Sequence, residues 1–312
     1  MALREIIGHE RVINGFDLRK RSNTFSHANL IIGDDGIGKS LVANYLANSI
    51  LGLKGDKEFV DIINYYPLSS SFGVDDIRNI ITEVSKKPFE SDKKVLILHK
   101  CEKMTIQAQN ALLKTIEEPP IGVHLILLSE SLELILDTIK SRCQTYKLTP
   151  LSKEDITKYI ENKYFDINIE NKKAALAYSQ GIPGKVEKFI EDDKLNNLRN
   201  VLLELLCDLE SNKDDFVFKY KEVLASYKDK QSEVLNILIS YIRDIMFLKE
   251  LDSNDLVVNF DKLKEIRDIS MRMSYKKLNS MLEYIKEART SLNNNTNYSM
   301  TITVLLMGFA EV

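Results

Sequence analysis

Over its first 150 residues the chain alternates short apolar runs with amphipathic stretches, a pattern that predicts strands separated by helices. A helix is expected over residues 9–20, then a strand at 28–32 and a second helix at 41–51. A strand at 59–65, the loop Pro67-Leu68-Ser69-Ser70-Ser71 and a helix at 74–85 follow, with Asp75 and Asp76 at that helix's electropositive start. The apolar run 95–98 predicts a buried strand. The helix expected at 106–117 carries Ala108, Ala111, Leu112, Thr115 and Ile116 at helical spacing, and Pro119-Pro120 stops it. A strand at 123–128, a short helix and a strand at 145–148 complete the series. Strands joined through helices pair in parallel, so residues 1–150 read as a layered α/β domain.

After Thr149-Pro150 the strand signals stop. Residues 151–192 read as a small helical lid, with helices at 153–163 and 171–179 and another after Gly181-Ile182-Pro183-Gly184. Residues 193–312 are helical throughout. Val201-Leu202-Leu205-Leu206 and Leu235-Leu238-Tyr241-Ile242-Ile245 each mark an amphipathic helix of an all-α domain.

Composition adds bounds. The 312 residues, 44% apolar and 29% charged, suit two or three globular domains. A net charge of −3 gives no global attraction to nucleic acid. No apolar run approaches the ~18 residues of a membrane span, and the N-terminus lacks a secretory pattern. Cys101, Cys143 and Cys207 are widely spaced, which predicts a reducing cytoplasm and no four-cysteine zinc site.

The chemistry concentrates in Gly33-Asp34-Asp35-Gly36-Ile37-Gly38-Lys39-Ser40, which fits the G-x-x-x-x-G-K-[ST] phosphate loop in its strand–loop–helix setting. Gly33, Gly36 and Gly38 let backbone N–H groups close around phosphates, and Lys39 reaches the β and γ oxygens. Ser40 is placed to ligate Mg²⁺ when nucleotide is bound, so ATP or ADP with Mg²⁺ is the expected ligand. The strand that should carry the metal-holding Asp and the water-activating acid ends instead in His99-Lys100. Mg²⁺ prefers hard oxygen donors, and a charged ammonium accepts no proton. Binding without efficient hydrolysis is therefore expected. A shifted register that makes Glu102 the acid stays open.

The run Met104 to Pro120 (MTIQAQNALLKTIEEPP) resembles the clamp-loader branch of the AAA+ ATPases, as does Thr138-Ile139-Lys140-Ser141-Arg142-Cys143. Ile7-Gly8-His9-Glu10 and Ser26-His27-Ala28 resemble the entry to that family's nucleotide domain. The likeness is strong over residues 5–190. It continues weakly through Tyr241-Ile242-Arg243-Asp244 and Asn295-Thr296-Asn297, which resemble the collar of these proteins. The resemblance implies a P-loop AAA+ domain over 1–150, a helical lid over 151–192 and an oligomerising collar over 193–312.

Within the branch the chain is most similar to the non-motor subunit of the bacterial DNA polymerase III clamp loader. That implies motor (gamma/tau) and delta subunits as partners, with the sliding clamp and primed DNA reached through the assembled complex. It also implies ATPase activity in those motor partners and no independent catalysis here. The competing reading is an ATP-hydrolysing, gamma/tau-like motor, supported by the intact loop and opposed by His99-Lys100. Relatives of this kind often carry a zinc cluster after the phosphate-loop helix. The stretch from Leu53 to Phe59 is short where that cluster belongs, so no zinc is expected.

The resemblance implies that Arg142 acts in trans as an arginine finger on ATP held by a neighbouring motor subunit, against the alternative of an ordinary surface ion pair. Lys185, after Gly184 at a helix start, lies where the family often has a second nucleotide sensor; a solvated lysine is an equal reading. Ser129, near the family's first sensor, is at most a weak hydrogen-bond partner. Cys143, with no nearby His, reads as a packed thiol. Asn295 and Asn297 are expected in a polar network buried between helices or subunits.

Overall fold

The computed structural model describes residues 6–53, 59–69, 71–209, 215–251 and 256–312. The chain forms two compact units, Met1–Lys163 with Gly181–Gly184, and Tyr164–Gln180 with Lys185–Val312.

The first unit is built on a parallel sheet of order β2-β3-β4-β1-β5. Its strands are β1 (Ala28–Ile32), β2 (Ile62–Tyr65), β3 (Lys94–Leu98), β4 (Val123–Ser129) and β5 (Gln144–Lys147). Its helices are α1 (Glu10–Ser22), α2 (Lys39–Leu51), α3 (Val74–Val84), α4 (Ile106–Glu117), α5 (Asp137–Lys140) and α6 (Lys153–Lys163). β1 and β3 are buried along their whole length, because helices cover both faces of the sheet. Leu30, Leu96, Leu98 and Leu125 face one apolar layer with Ile77, Ile80, Leu112 and Ile116 of α3 and α4. Ile31, Val95, Ile97 and Ile126 face the other, with Phe16 of α1 and Val42, Leu46 and Ile50 of α2. Truncating one such side chain, as in Leu96→Ala, costs about 2–5 kcal/mol.

The structure departs from the sequence reading at strand ends. β2 begins at Ile62 and not at residue 59, because the buried Asp61 turns the chain. Its carboxylate accepts from the backbone N–H groups of Phe89, Glu90 and Ser91 at 2.6, 2.8 and 2.9 Å. β3 starts one residue earlier than the apolar run, at Lys94, which is buried at 3% exposure. Its ammonium donates to Glu83 Oε1 at 2.6 Å and to the Glu83 carbonyl at 3.0 Å. β5 covers 144–147, one residue ahead of the expected span. Residues 54–58, within the stretch read as shortened, and Ser70 of the 67–71 loop lie outside the described residues.

The second unit is helical: α7 (Ile169–Ser179), α8 (Pro183–Glu191), α9 (Asp193–Asp208), α10 (Phe216–Ala225), α11 (Gln231–Leu251), α12 (Leu263–Arg272), α13 (Tyr275–Asn293) and α14 (Tyr298–Glu311). The first residues of α8 belong to the sheet unit. The expected Leu235, Leu238, Tyr241, Ile242 and Ile245 stripe is buried on α11, packed with Leu198, Leu202 and Leu206 of α9 and Ile285 of α13. Asn168, Asp192, Ser274 and Asn297 cap helix starts with side-chain oxygens. The two asparagines expected in a buried network are both exposed. Asn297 caps α14 through the Met300 N–H at 3.1 Å, and Asn295 adopts φ 58° in the connecting turn. Both placements follow from the amide side chain, which favours helix caps and tolerates left-handed backbone. Among the described residues no helix is long and apolar enough to cross a membrane.

Candidate functional site

The phosphate loop links β1 to α2. Gly36 and Gly38 hold φ of 78° and 105°, conformations that favour glycine and turn successive N–H groups inward. Helix α2 starts at Lys39 with no side-chain cap, so its first-turn N–H groups are not capped by a neighbouring side chain. The Gly184 N–H donates to the Gly36 carbonyl at 2.9 Å. A Cβ on Gly36 would lie 2.9 Å from Gly184 Cα, so the contact admits no side chain.

Lys39 folds back onto the loop and donates to the carbonyls of Gly33 at 2.8 Å and Asp34 at 2.9 Å. Burial pulls its pKa down, opposed by the charges of Glu130, Asp35, Glu102 and Asp34. The ammonium is therefore held by backbone carbonyls, with these carboxylates acting on it through space. His9 contributes a ring nitrogen 3.2 Å from the Ile37 carbonyl.

β3 ends at Leu98, in register with Leu127 of β4, so His99 is the first residue past the strand. His99 is buried and lies with Nδ1 3.5 Å from Ser40 Oγ and Nε2 2.9 Å from Asn64 Oδ1. Its ring stacks on Tyr66 at 4.1 Å and 17°. Burial, then the charges of Lys100 and Lys39, push its pKa down to about 4, so the ring is neutral at pH 7. An amide oxygen accepts and never donates, so Nε2 carries the proton and the Nδ1 lone pair faces Ser40.

Glu102 sits on the short turn Cys101–Lys103, and its Oε2 accepts from the Glu130 N–H at 3.1 Å. Burial first, then Asp35 and Glu102, raise the Glu130 carboxyl above its ordinary value. Glu102 thus stands among the charges acting on Lys39, although it does not occupy the strand end. Ser129 is fully buried, and its hydroxyl donates to the Ser131 carbonyl at 2.9 Å.

Arg142 lies in the turn between α5 and β5, as its sequence position implied. Gln109 of α4 shapes the approach: it donates to the Leu134 carbonyl at 2.9 Å and accepts from the Leu136 N–H at 2.8 Å. These bonds fix the segment leading into α5. Arg142 Nε pairs with Glu117 Oε1 at 2.6 Å, the two side chains 40% and 42% exposed. Nη1 donates to the Thr138 carbonyl at 3.0 Å. Cys143 is partly buried, and burial pushes its thiol up to about 12, which suits packing and not nucleophilic attack.

The structure therefore brings Gly33, Gly36, Gly38, Lys39 and Ser40 together, with His99 beside them. Lys185 lies in the first turn of α8 and belongs to the helical unit. Asn64 and Tyr66 were missed from the sequence. Their signal is topological: β2 pairs with β3, which sets the end of β2 beside His99. Glu130 and Gly184 were likewise unassigned.

The residues present fit nucleotide phosphates, because the positive-φ glycines, the uncapped α2 start and Lys39 converge. They fit Mg²⁺ poorly, because an imidazole stands where a carboxylate would hold the ion's shell.

Two family models match the chain: "DNA polymerase III, delta subunit" over residues 8–152, and "DNA polymerase III, delta subunit, C terminal" over residues 187–311. The DNA polymerase III subunit delta' of Bacillus subtilis is 27% identical, with 92% of this chain and 91% of that protein covered. The DNA polymerase III subunit gamma of Buchnera aphidicola subsp. Schizaphis graminum is 26% identical, with 100% and 90% covered. Among solved structures, a DNA polymerase III gamma subunit-related protein from Thermotoga maritima superposes with a TM-score of 0.53 at 20% identity, covering 95% of this chain and 98% of that one. That likeness establishes the fold.

Proposed function

The chain belongs to the delta-prime group of DNA polymerase III clamp-loader subunits within the AAA+ family, and on that premise we propose that it is the complex's non-hydrolysing stator. It takes ADP or ATP on Gly33–Ser40 without turning it over, and it lends Arg142 to the nucleotide of a neighbouring motor subunit. Its partners are the motor (gamma/tau) and delta subunits. The assembled complex places the sliding clamp on primed DNA in the cytoplasm.

The observation that carries this reading is the end of β3. A neutral His99, fixed by Asn64 and Tyr66, fills the place of the metal-holding acid, and Lys100 next to it cannot take a proton from water. Loss of a general base alone lowers a rate by about 10²–10⁴. Lys39 and Ser40 retain the groups that bind phosphate but lack this second half.

Arg142 supports the trans role through its setting. It stands at a turn with its side chain substantially exposed, and the Glu117 pair that holds it is a surface pair worth about 0–1 kcal/mol. A neighbour's γ-phosphate outcompetes such a pair, because guanidinium and phosphate form bidentate, charge-assisted bonds. The helical unit supplies the assembly face: α14 exposes Met300, Val304 and Met307 along one side, at 71%, 56% and 50%.

The motor reading keeps one specific support, the placement of Glu102 among the charges on Lys39. Reconstituted complexes of matched subunit content separate the two readings. On the stator reading Arg142→Ala lowers clamp- and DNA-stimulated turnover, while Glu102→Gln leaves it unchanged. The reverse pattern supports the motor.

A further inference from the structure

Arg199 of α9 is a buried cation bonded on one side only. Its side chain is 3% exposed. Nη2 donates to Asp261 Oδ1 at 2.8 Å and to Asn259 Oδ1 at 3.2 Å, which uses both hydrogens of that nitrogen. The Phe189 ring covers one face of the guanidinium at 4.4 Å. Among the described residues no acceptor meets the Nε–H or the N–H groups of Nη1. Buried donors without an acceptor forfeit their hydration, so these remaining N–H groups call for a partner. The guanidinium lines a cavity of about 240 Å³ inside the helical unit, walled by α7, α8, α9 and the turn Phe260–Lys262.

The rest of the lining specifies that partner. Its charged residues are Arg199, Lys262 and Asp261, two cations against one carboxylate, and that balance suits a monoanion. Among the described residues the half-buried Lys262 makes no ion pair. Asn196 spends Nδ2 on the Phe189 carbonyl at 3.1 Å and keeps Oδ1 for an incoming N–H. Ile167, Ile190 and Phe189 give an apolar wall. A carboxylate, an N–H donor and an apolar body together describe an aliphatic amino-acid residue acylated at its nitrogen, as at a peptide C-terminus. The frame is held firmly. Asn259, which orients Nη2, is fixed by the fully buried Asp244 through its own N–H and its Nδ2, both at 2.8 Å. Tyr241 donates its hydroxyl to the Arg199 carbonyl at 3.0 Å. Such preorganisation reduces the ordering cost of binding.

We infer that this cavity binds the carboxylate of an acylated aliphatic residue, with a peptide C-terminus as its source. Arg199 Nη1 and Lys262 Nζ take the carboxylate, Asn196 Oδ1 accepts the amide N–H, and the aliphatic side chain lies on Ile167 and Ile190. The site is separate from the phosphate loop and from Arg142, so it stands or falls independently of the function proposed above.

The test is titration of the full chain, carrying ¹⁵N-labelled arginine, with N-acetyl-leucine, its uncharged amide and the tripeptide acetyl-alanyl-alanyl-leucine. NMR of the arginine side chains and calorimetry read the binding. N-acetyl-leucine should shift the Arg199 Nε–H signal and bind with a Kd of about 1 mM. The amide should bind at least about tenfold more weakly, because it loses the charge-assisted bonds. The tripeptide should bind at least as tightly as N-acetyl-leucine. Arg199→Gln strips Asp261 of its counter-ion and can unfold the unit, so Lys262→Ala is the variant of choice. It should keep the wild-type melting temperature and weaken N-acetyl-leucine about fivefold. N-acetyl-leucine bound with the tripeptide excluded supports the carboxylate site and makes a free acyl amino acid its source. Equal binding of acid and amide, binding of neither, or an unchanged affinity in Lys262→Ala overturns the inference.

Discussion

Gly184→Ala should damage the phosphate loop from outside its sequence motif. A Cβ at residue 184 would lie 2.6 Å from Gly36 Cα, 3.1 Å from its carbonyl oxygen and 3.3 Å from its carbonyl carbon. All three are backbone atoms, so no side-chain rotation relieves the overlap. The two segments must separate by about 0.8 Å to reach an ordinary contact, an overpacking strain of about 1–3 kcal/mol. Separation also weakens the 2.9 Å bond from Gly184 N to Gly36 O, at about 0.5–1.5 kcal/mol. Alanine recovers up to about 1 kcal/mol through helix propensity. The net loss is about 1–3 kcal/mol, a fall of roughly 2–10 °C in the unfolding temperature of the sheet unit. ADP affinity should fall with it, because Gly36 at φ 78° cannot move without turning the loop N–H groups. Gly15→Ala is the internal control: nothing lies within 4 Å of its added Cβ, in mid-helix of α1, so it should stabilise by about 0.5–1 kcal/mol. Thermal unfolding and ADP calorimetry of the two variants decide the matter. A Gly184→Ala protein with wild-type melting and ADP affinity refutes the loop contact.

Arg142→Lys should rescue the reconstituted complex poorly, because an ammonium cannot reproduce the guanidinium's planar fork. Turnover in matched complexes checks this, and full activity of the lysine variant would argue for a simple charge. Val304→Asp on α14 should leave the isolated chain's melting within about 0.5 kcal/mol while abolishing co-elution with motor subunits on size exclusion; undiminished assembly would place the interface elsewhere. Glu83 is held below the usual carboxylate range by hydrogen bonds from Lys86 first and Lys94 second. Its pairing therefore stabilises the fold above the ordinary glutamate pKa, and that stability is lost as the pH falls through the lowered value. Glu83→Gln should weaken the protein at neutral pH, leaving Lys94 buried without its counter-ion, and should flatten the acid limb of a melting-temperature profile; a parallel acid limb contradicts the assignment.

Much of the sheet unit was legible because its central strands are buried on both faces and read as unbroken apolar runs. α4 was legible to the residue through its periodicity and Pro119-Pro120. The loop glycines, Lys39 and Ser40 were legible because the motif is local. What sequence could not supply is whatever depends on distant segments meeting. Asp61 delays the start of a predicted strand, and its three donors come from residues 89–91. Lys94 enters a buried strand because Glu83 awaits it on α3. Tyr66 and Asn64 join the site only through the β2–β3 pairing, and Gly184 only through its approach to Gly36. Of the Asn295 and Asn297 expectation, burial between helices of this chain failed for a different reason: an apolar stretch nearby outweighed the local preference of Asn for turns and caps.

The central claim is nucleotide binding without turnover, and steady-state ATPase measurement of the isolated full chain tests it most directly, with ADP calorimetry of the same preparation. The account predicts measurable binding that Lys39→Ala weakens, and phosphate release no faster than from a Lys39→Ala control. Robust hydrolysis by the pure chain, lost in Lys39→Ala, would contradict it and make this subunit a motor.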